Sequence, residues 1–333
     1  MTPVVAFFNS RGRVGTTTLV YNTSWMLRRQ GINVLTVDLD PQADLTSAFL
    51  DDRLIEELWL DGDHRTVFGA VAPLFGGAGD AGEVADPYVR EVEPGLGLVP
   101  GDLSLAGIEE PLATAWHQAD HGDARALQML AALDSVVQQA AAAVQADIAL
   151  LDLGPNLTAV SRAALVAADH VVVPLATDLG SFQSLASLGP VLRTWRQGWV
   201  DRRVRADGPG LPEGRMQPAG YIVLQRPVRV DRAVGDYDRW LKGLPAGYHR
   251  SVLGEAGTGA PPAAEDPRCL GVMKHYHGIG PMAHDARRPI FLLRSADGAV
   301  GAHQQAVQNA YGHFADLARR ILDAVGLGEL VRG

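Results

Sequence analysis

Directly after the apolar run Val4-Val5-Ala6-Phe7-Phe8, the chain reads Asn9-Ser10-Arg11-Gly12-Arg13-Val14-Gly15-Thr16-Thr17-Thr18. A glycine-bearing loop between a strand and a helix can wrap its backbone N–H groups around phosphate, with the helix N-terminus facing the anion. The full pattern, G-x-x-x-x-G-K-[ST], adds a lysine for the β/γ oxygens and a hydroxyl for Mg²⁺. Gly15 and Thr17 stand in that register, but Thr16 occupies the lysine position and Ser10 that of the first glycine. Thr17 is the hydroxyl for Mg²⁺, and Thr18 is placed for an α-phosphate; the ordinary alternative for both is helix capping. Arg13 either reshapes the loop and takes over phosphate neutralisation, for which a guanidinium is suited, or points to solvent.

Carboxylates supply the second part of the chemistry. Asp38 and Asp40 end the run Val34-Leu35-Thr36-Val37, and Asp152 ends Ile148-Ala149-Leu150-Leu151. In open α/β sheets ligands bind at the C-terminal ends of strands, where these acids fall. Their bland reading is capping of the helices that follow.

Four segments, in this order and spacing, resemble the ParA/MinD family of deviant Walker A ATPases. They are the loop Arg11–Thr18, the segment Asp38-Leu39-Asp40-Pro41-Gln42, the Walker B-like Asp152-Leu153-Gly154-Pro155-Asn156, and the strand Ala168–Leu175. The family loop reads approximately K-G-G-x-G-K-T-T. The resemblance implies a nucleotide cradle of Gly12, Arg13, Gly15, Thr16, Thr17 and Thr18, with ATP or ADP and Mg²⁺ as cofactor. It implies that Asp40 orients the attacking water, and that Thr17, Asp38 and Asp152 hold Mg²⁺, the acids through waters. It also implies a homodimer in which Arg11, standing for the signature lysine, crosses to the partner's nucleotide. Arg11 keeps the charge of the lysine it replaces, whereas Thr16 abolishes it. A charge-assisted hydrogen bond contributes roughly 1.5–3 kcal/mol, so its loss weakens triphosphate binding by about 10- to 150-fold. Hydrolysis suffers more, because phosphoryl transfer depends on charge stabilisation in the transition state.

Composition fits a globular protein: 333 residues, 47% hydrophobic and 20% charged, can bury a large core. A single cysteine, Cys269, rules out a disulfide framework. No apolar run approaches the roughly 18–20 residues of a membrane span, and no basic region precedes the first apolar stretch, so the expected location is cytoplasmic. The net charge of −9 argues against wholesale nucleic-acid binding. Only Lys242 and Lys274 are lysines, so arginine is the chain's default cation.

Strand and helix patterns alternate, predicting an α/β fold: a mostly parallel central sheet with helices on both faces. Helices are expected over about 16–29, 51–58, 125–144 and 304–325, and strands at Leu96–Pro100 and Gly220–Gln225. The chain is read as one domain, with Gly/Pro-rich loop insertions near 76–87, 207–214 and 254–267.

Three other features carry a weaker signal. The dense basic stretch Arg193–Arg205, with Trp195 and Trp199, offers a grip on nucleic acid or an acidic partner, but a solvated helix end is the commoner meaning. His275, His277 and His284, near Lys274 and Tyr276, lack the third ligand type that a metal site needs. The apolar stripe from Val307 to Leu322 is ordinary core packing. Three functional readings stay open: a ParA-like scaffold or switch with weak or absent hydrolysis, an active partition-type ATPase in which Arg11 or Arg13 replaces the lysines, or a P-loop fold recruited to another reaction.

Overall fold

The computed structural model describes residues 1–60, 65–76, 82–206, 210–225, 234–257, 259–274, 276 and 278–331. Strands β1 (Val4–Phe7), β2 (Val34–Leu39), β3 (Arg90–Glu93), β4 (Leu96–Val99), β5 (Ile148–Leu153), β6 (His170–Ala176), β7 (Gln217–Leu224) and β8 (Cys269–Met273) form one sheet. Their spatial order is β3-β4-β2-β5-β1-β6-β7-β8. Every pairing is parallel except β3 with β4. The expected α/β architecture is therefore observed.

The helices are α1 (Thr16–Arg29), α2 (Asp44–Phe49), α3 (Asp52–Leu60), α4 (Val67–Phe75), α5 (Glu109–Gln118) and α6 (Ala124–Ala143). They continue with α7 (Ala159–Val166), α8 (Leu179–Ala206), α9 (Val234–Tyr248), α10 (Gly280–Asp285) and α11 (Ala302–Ala324). Strands covered on both faces read as unbroken apolar runs, and their side chains alternate between two cores. Val4 and Ala6 of β1 pack into one core with residues of α4 to α8. Val5 and Phe7 pack into the other with residues of α1 and α11.

Of the elements that the sequence pattern did not predict, two are missed for identifiable reasons. Helix α8 carries Gly180, Gly189, Gly198 and Pro190, which weaken its helical signature. Gly189 is there for contact: a Cβ would lie 1.8 Å from the Ser251 carbonyl oxygen, so only glycine lets α8 meet the segment 249–253. Strand β8 follows a Gly/Pro-rich stretch and reads as a loop continuation. At the opposite edge, β3 is antiparallel and only 4 residues long, with Arg90 and Glu91 exposed. Of the expected insertions, 77–81, 207–209 and 258 lie outside the described residues, as do His275 and His277. Among the described residues no His/Cys/Asp/Glu group is arranged to hold a metal ion.

Candidate functional site

Parallel register sets the strand ends level. Asp152 lies opposite Phe7 on one side and opposite Asp38 on the other, so β1, β2 and β5 open into one crevice. The crevice has a volume of about 840 Å³ and is walled by residues 11–18, the segment Leu39–Asp44 and residues 153–161. The convergence expected from the motif spacing is thus present.

The loop keeps a glycine-type backbone although one glycine is gone. Gly15 has φ 92° and Arg13 has φ 61°, both left-handed. A non-glycine residue held in that region costs about 1–3 kcal/mol, so the loop shape is imposed on Arg13 by its surroundings. Gly12 packs closely on the facing segment, where a Cβ would come within 3.2 Å of Pro155. Gly15 is the N-cap of α1, no side chain caps that end, and its first turn holds no acid. The capping alternative for Thr17 and Thr18 is therefore not realised. With Thr16 they form a first helical turn whose N–H groups lack intrahelical partners and border the crevice, which suits an anion.

The three acids differ in what they are committed to. Asp38, fully buried, accepts hydrogen bonds from the Thr46 amide (2.8 Å), the Thr46 hydroxyl (2.7 Å) and the Asp40 amide (3.2 Å). It thereby fastens the first turn of α2, and the helix-tethering alternative holds for this residue. Asp40 lines the crevice and spends one oxygen on the Gln42 amide at 2.9 Å. Asp152 is 1% exposed, and neither of its carboxylate oxygens makes a hydrogen bond, although the Thr17 hydroxyl is close enough to favour its charged form. Burial, then repulsion between neighbours, holds the carboxyls of Asp38 and Asp152 above the usual range, and burial does the same to Asp40. An unpartnered, fully buried carboxylate beside a threonine hydroxyl fits a divalent cation, which would supply the missing charge. Asp38 fits that role less well, because its oxygens are already engaged.

Arg11 is turned back onto its own chain. Its guanidinium pairs with Asp178, which also accepts from the Ser181 amide (2.9 Å) at the start of α8. Glu109, on α5, borders the crevice and accepts hydrogen bonds from the Ala159 and Val160 amides, holding the N-terminus of α7. Asp178, Thr46 and Glu109 carry no local sequence signal, since each reaches the site from an element outside the motifs.

The basic stretch falls on α8 and is largely spent on internal contacts. Arg193 donates to the Ser251 carbonyl, Arg203 to Glu213 (3.1 Å) and Arg205 to Asp120 (3.3 Å). Arg202 is buried, pairs with the Asp120 carboxylate at 2.7 Å and donates to the Trp116 carbonyl. Trp199 is fully buried, its indole N–H on Pro212. These contacts secure the helix and leave little of the run for nucleic acid.

Fold and crevice define a P-loop architecture, with the loop, the strand-end acids of β2 and β5 and the facing segment grouped at one end of the sheet. Residues 2–200 match the model of a family described as an AAA domain, and the chain belongs to this family, among its ParA-type P-loop ATPases. Over 205 residues it is 29% identical to the chromosome partitioning protein ParA of Caulobacter vibrioides, covering 62% of this chain and 67% of that one. The chain spans about three fifths to two thirds of the length of the curated relatives it matches. The fold is similar to that of a solved Corynebacterium diphtheriae protein (TM-score 0.67, 23% identity, 86% of this chain and 97% of that one). It is also similar to a Borrelia burgdorferi plasmid partition protein solved with AMPPNP (TM-score 0.55, 14% identity, 95% and 98% covered).

Proposed function

We propose that this protein is a ParA-type nucleotide-responsive switch or scaffold that binds ATP or ADP in the crevice and hydrolyses it weakly or not at all. One observation carries the reading: a preserved cradle whose lysine position holds Thr16, while the nearby cation Arg11 is engaged by Asp178. Backbone amides at the head of α1 would bind phosphate, and Gly12 allows the facing segment to close over it. Thr17 and Asp152 would hold Mg²⁺, which when bound supplies charge neutralisation at the β/γ oxygens. Asp40 would orient water at the crevice wall. The AMPPNP-bound Borrelia protein of similar fold supports a triphosphate as the ligand. We read the chain as one cytoplasmic domain that pairs as a homodimer, with an unidentified protein partner, and as making little use of nucleic acid.

Arg13 borders the same crevice, which favours a second reading: an active ATPase in which this guanidinium replaces the lysine. Calorimetric titration with ATP and ADP, with and without Mg²⁺, together with phosphate release, separates the two. Nucleotide binding with negligible turnover supports the switch. Brisk Mg²⁺-dependent turnover that Arg13→Ala and Asp40→Ala each abolish establishes the ATPase. Absence of binding in all conditions rejects both. Sedimentation with and without nucleotide tests the dimer, which a monomer in both states would exclude.

A further inference from the structure

A second cavity, of about 180 Å³, lies at the opposite end of the sheet, among the N-terminal ends of the strands. Asp134 and Gln138, one turn apart on α6, form one wall; Asp169 and His170 at the start of β6 form another; Glu213 and Arg215 before β7 close the third. Nothing in the nucleotide site reaches this region.

The polar groups here are unevenly satisfied. Both ends of the Gln138 amide are spent on Thr2, accepting from its N–H at 3.0 Å and donating to its carbonyl at 3.1 Å. Asp169 accepts from the Val4 amide at 3.0 Å, and Arg215, half-exposed, is shared between Glu213 and Asp169 (3.8 Å). Asp134 is 7% exposed, borders the cavity and accepts no hydrogen bond from any described residue. Three carboxylates thus face one guanidinium that is already engaged, and the most buried of the three is the unpartnered one. Burial, then the charge of Asp169, raises the Asp134 carboxyl to about 7, whereas burial lowers His170, so the imidazole adds no cation at neutral pH. The Met1 amino group borders the rim on a residue that is 96% exposed and solvated.

We propose that this cavity binds a small organic cation, an alkyl diamine, with one ammonium on Asp134 and the other on the Asp169–Glu213 side. The vacant acceptor calls for an N–H donor carrying positive charge. A metal ion is disfavoured, because among the described residues no three acidic, histidine or cysteine groups converge on one point. The cavity, about 180 Å³ and open on one side, has room for a short alkyl chain such as that of 1,4-diaminobutane.

The test is calorimetric titration of the whole protein with 1,4-diaminobutane, with 1,4-butanediol as the neutral isostere. Saturable binding of the diamine but not the diol is expected at about pH 8, weakening about tenfold at about pH 6 as Asp134 takes up its proton. Asp134→Asn keeps the shape and removes the charge; it is expected to lose about tenfold or more in affinity and most of the pH dependence. Because His170 and Asp169 also face the ligand, the carboxyl carbon resonance of Asp134 is followed: diamine should shift its titration to lower pH. No diamine binding up to about 10 mM overturns the proposal. So does equal binding of the diol, or an unchanged affinity in folded Asp134→Asn as judged by circular dichroism.

Discussion

Asp152 and Asp266 are each 1% exposed, yet they sit in opposite circumstances. Asp266, in the loop before β8, accepts hydrogen bonds from the Tyr221 hydroxyl (2.8 Å), the Arg268 amide (2.9 Å) and His249 Nε2 (3.1 Å). His249 is held on its other nitrogen by Glu255 at 2.7 Å, so both ring nitrogens face carboxylates and the imidazolium is the matching form. Asp152, on the central strand β5, makes no hydrogen bond from either oxygen. Burial is the same; the supply of partners is not. A carboxylate surrounded by donors holds a structure together, while one left without them in a central strand costs stability and is kept for something that arrives later.

The strongest way to break this contrast is Asp266→Ala. Removing the acid leaves the Tyr221 hydroxyl, the Arg268 amide and His249 Nε2 without their shared acceptor, and chemical denaturation should show a loss of about 3 kcal/mol. A loss below about 1 kcal/mol would mean that Asp266 is no more structural than a surface ion pair. Next comes Thr16→Lys, which brings a cation to the crevice. ATP affinity should rise about 10- to 150-fold by calorimetry, corresponding to roughly 1.5–3 kcal/mol, and less if Arg13 blocks close approach until changed to glycine. Asp152→Asn should move stability the other way from Asp266→Ala, raising it by about 1–3 kcal/mol near neutral pH in the absence of Mg²⁺. Because its folded pKa is raised, the cost of Asp152 is absent below about pH 4 and grows as pH rises; the gain from Asn should shrink toward zero on acidification. Arg13→Gly releases the strain at φ 61° and should stabilise by about 1 kcal/mol in thermal unfolding.

The smallest effect is the pH response of His249. Burial works against its charged form, but hydrogen bonds to Glu255 and Asp266 outweigh this and raise its pKa above the ordinary histidine value. Its contribution is therefore complete below about pH 6.5 and is lost as pH rises through the higher folded value. The melting temperature should fall across that window in the natural protein and more gently in His249→Gln. An identical slope in the two would mean that the imidazole is neutral throughout.

Much of the crevice was legible in the sequence because its parts are local. The loop residues Arg11–Thr18, the acids Asp38 and Asp40, and Asp152 each fall inside a short motif, and parallel register then carries them to one crevice. Asp178 and Glu109 were not legible, because they act through tertiary placement, one from the bend before α8 and the other from the head of α5. The same holds for Asp266, whose partners come from β7, the turn after α9 and its own loop. Helix α8 was hidden by glycines that serve contact, and its arginines looked like a surface patch although Arg202 is buried. What the motif could not convey about Arg13 was that the backbone would keep a glycine shape without a glycine.

The two edges of the sheet bear on how this chain behaves in a crowded solution. An exposed edge strand offers its unpaired N–H and C=O groups to any passing strand, and a long parallel sheet is slow to form and exposed meanwhile. Here one edge, β3, is 4 residues of Arg-Glu-Val-Glu with charges facing outward. The other, β8, is packed on its face by α11, where a Cβ at Gly271 would come within 3.4 Å of Leu317. Strand-to-strand growth is thus opposed at the β3 end by shortness and charge, while at the other end α11 holds β8 into the sheet from its face.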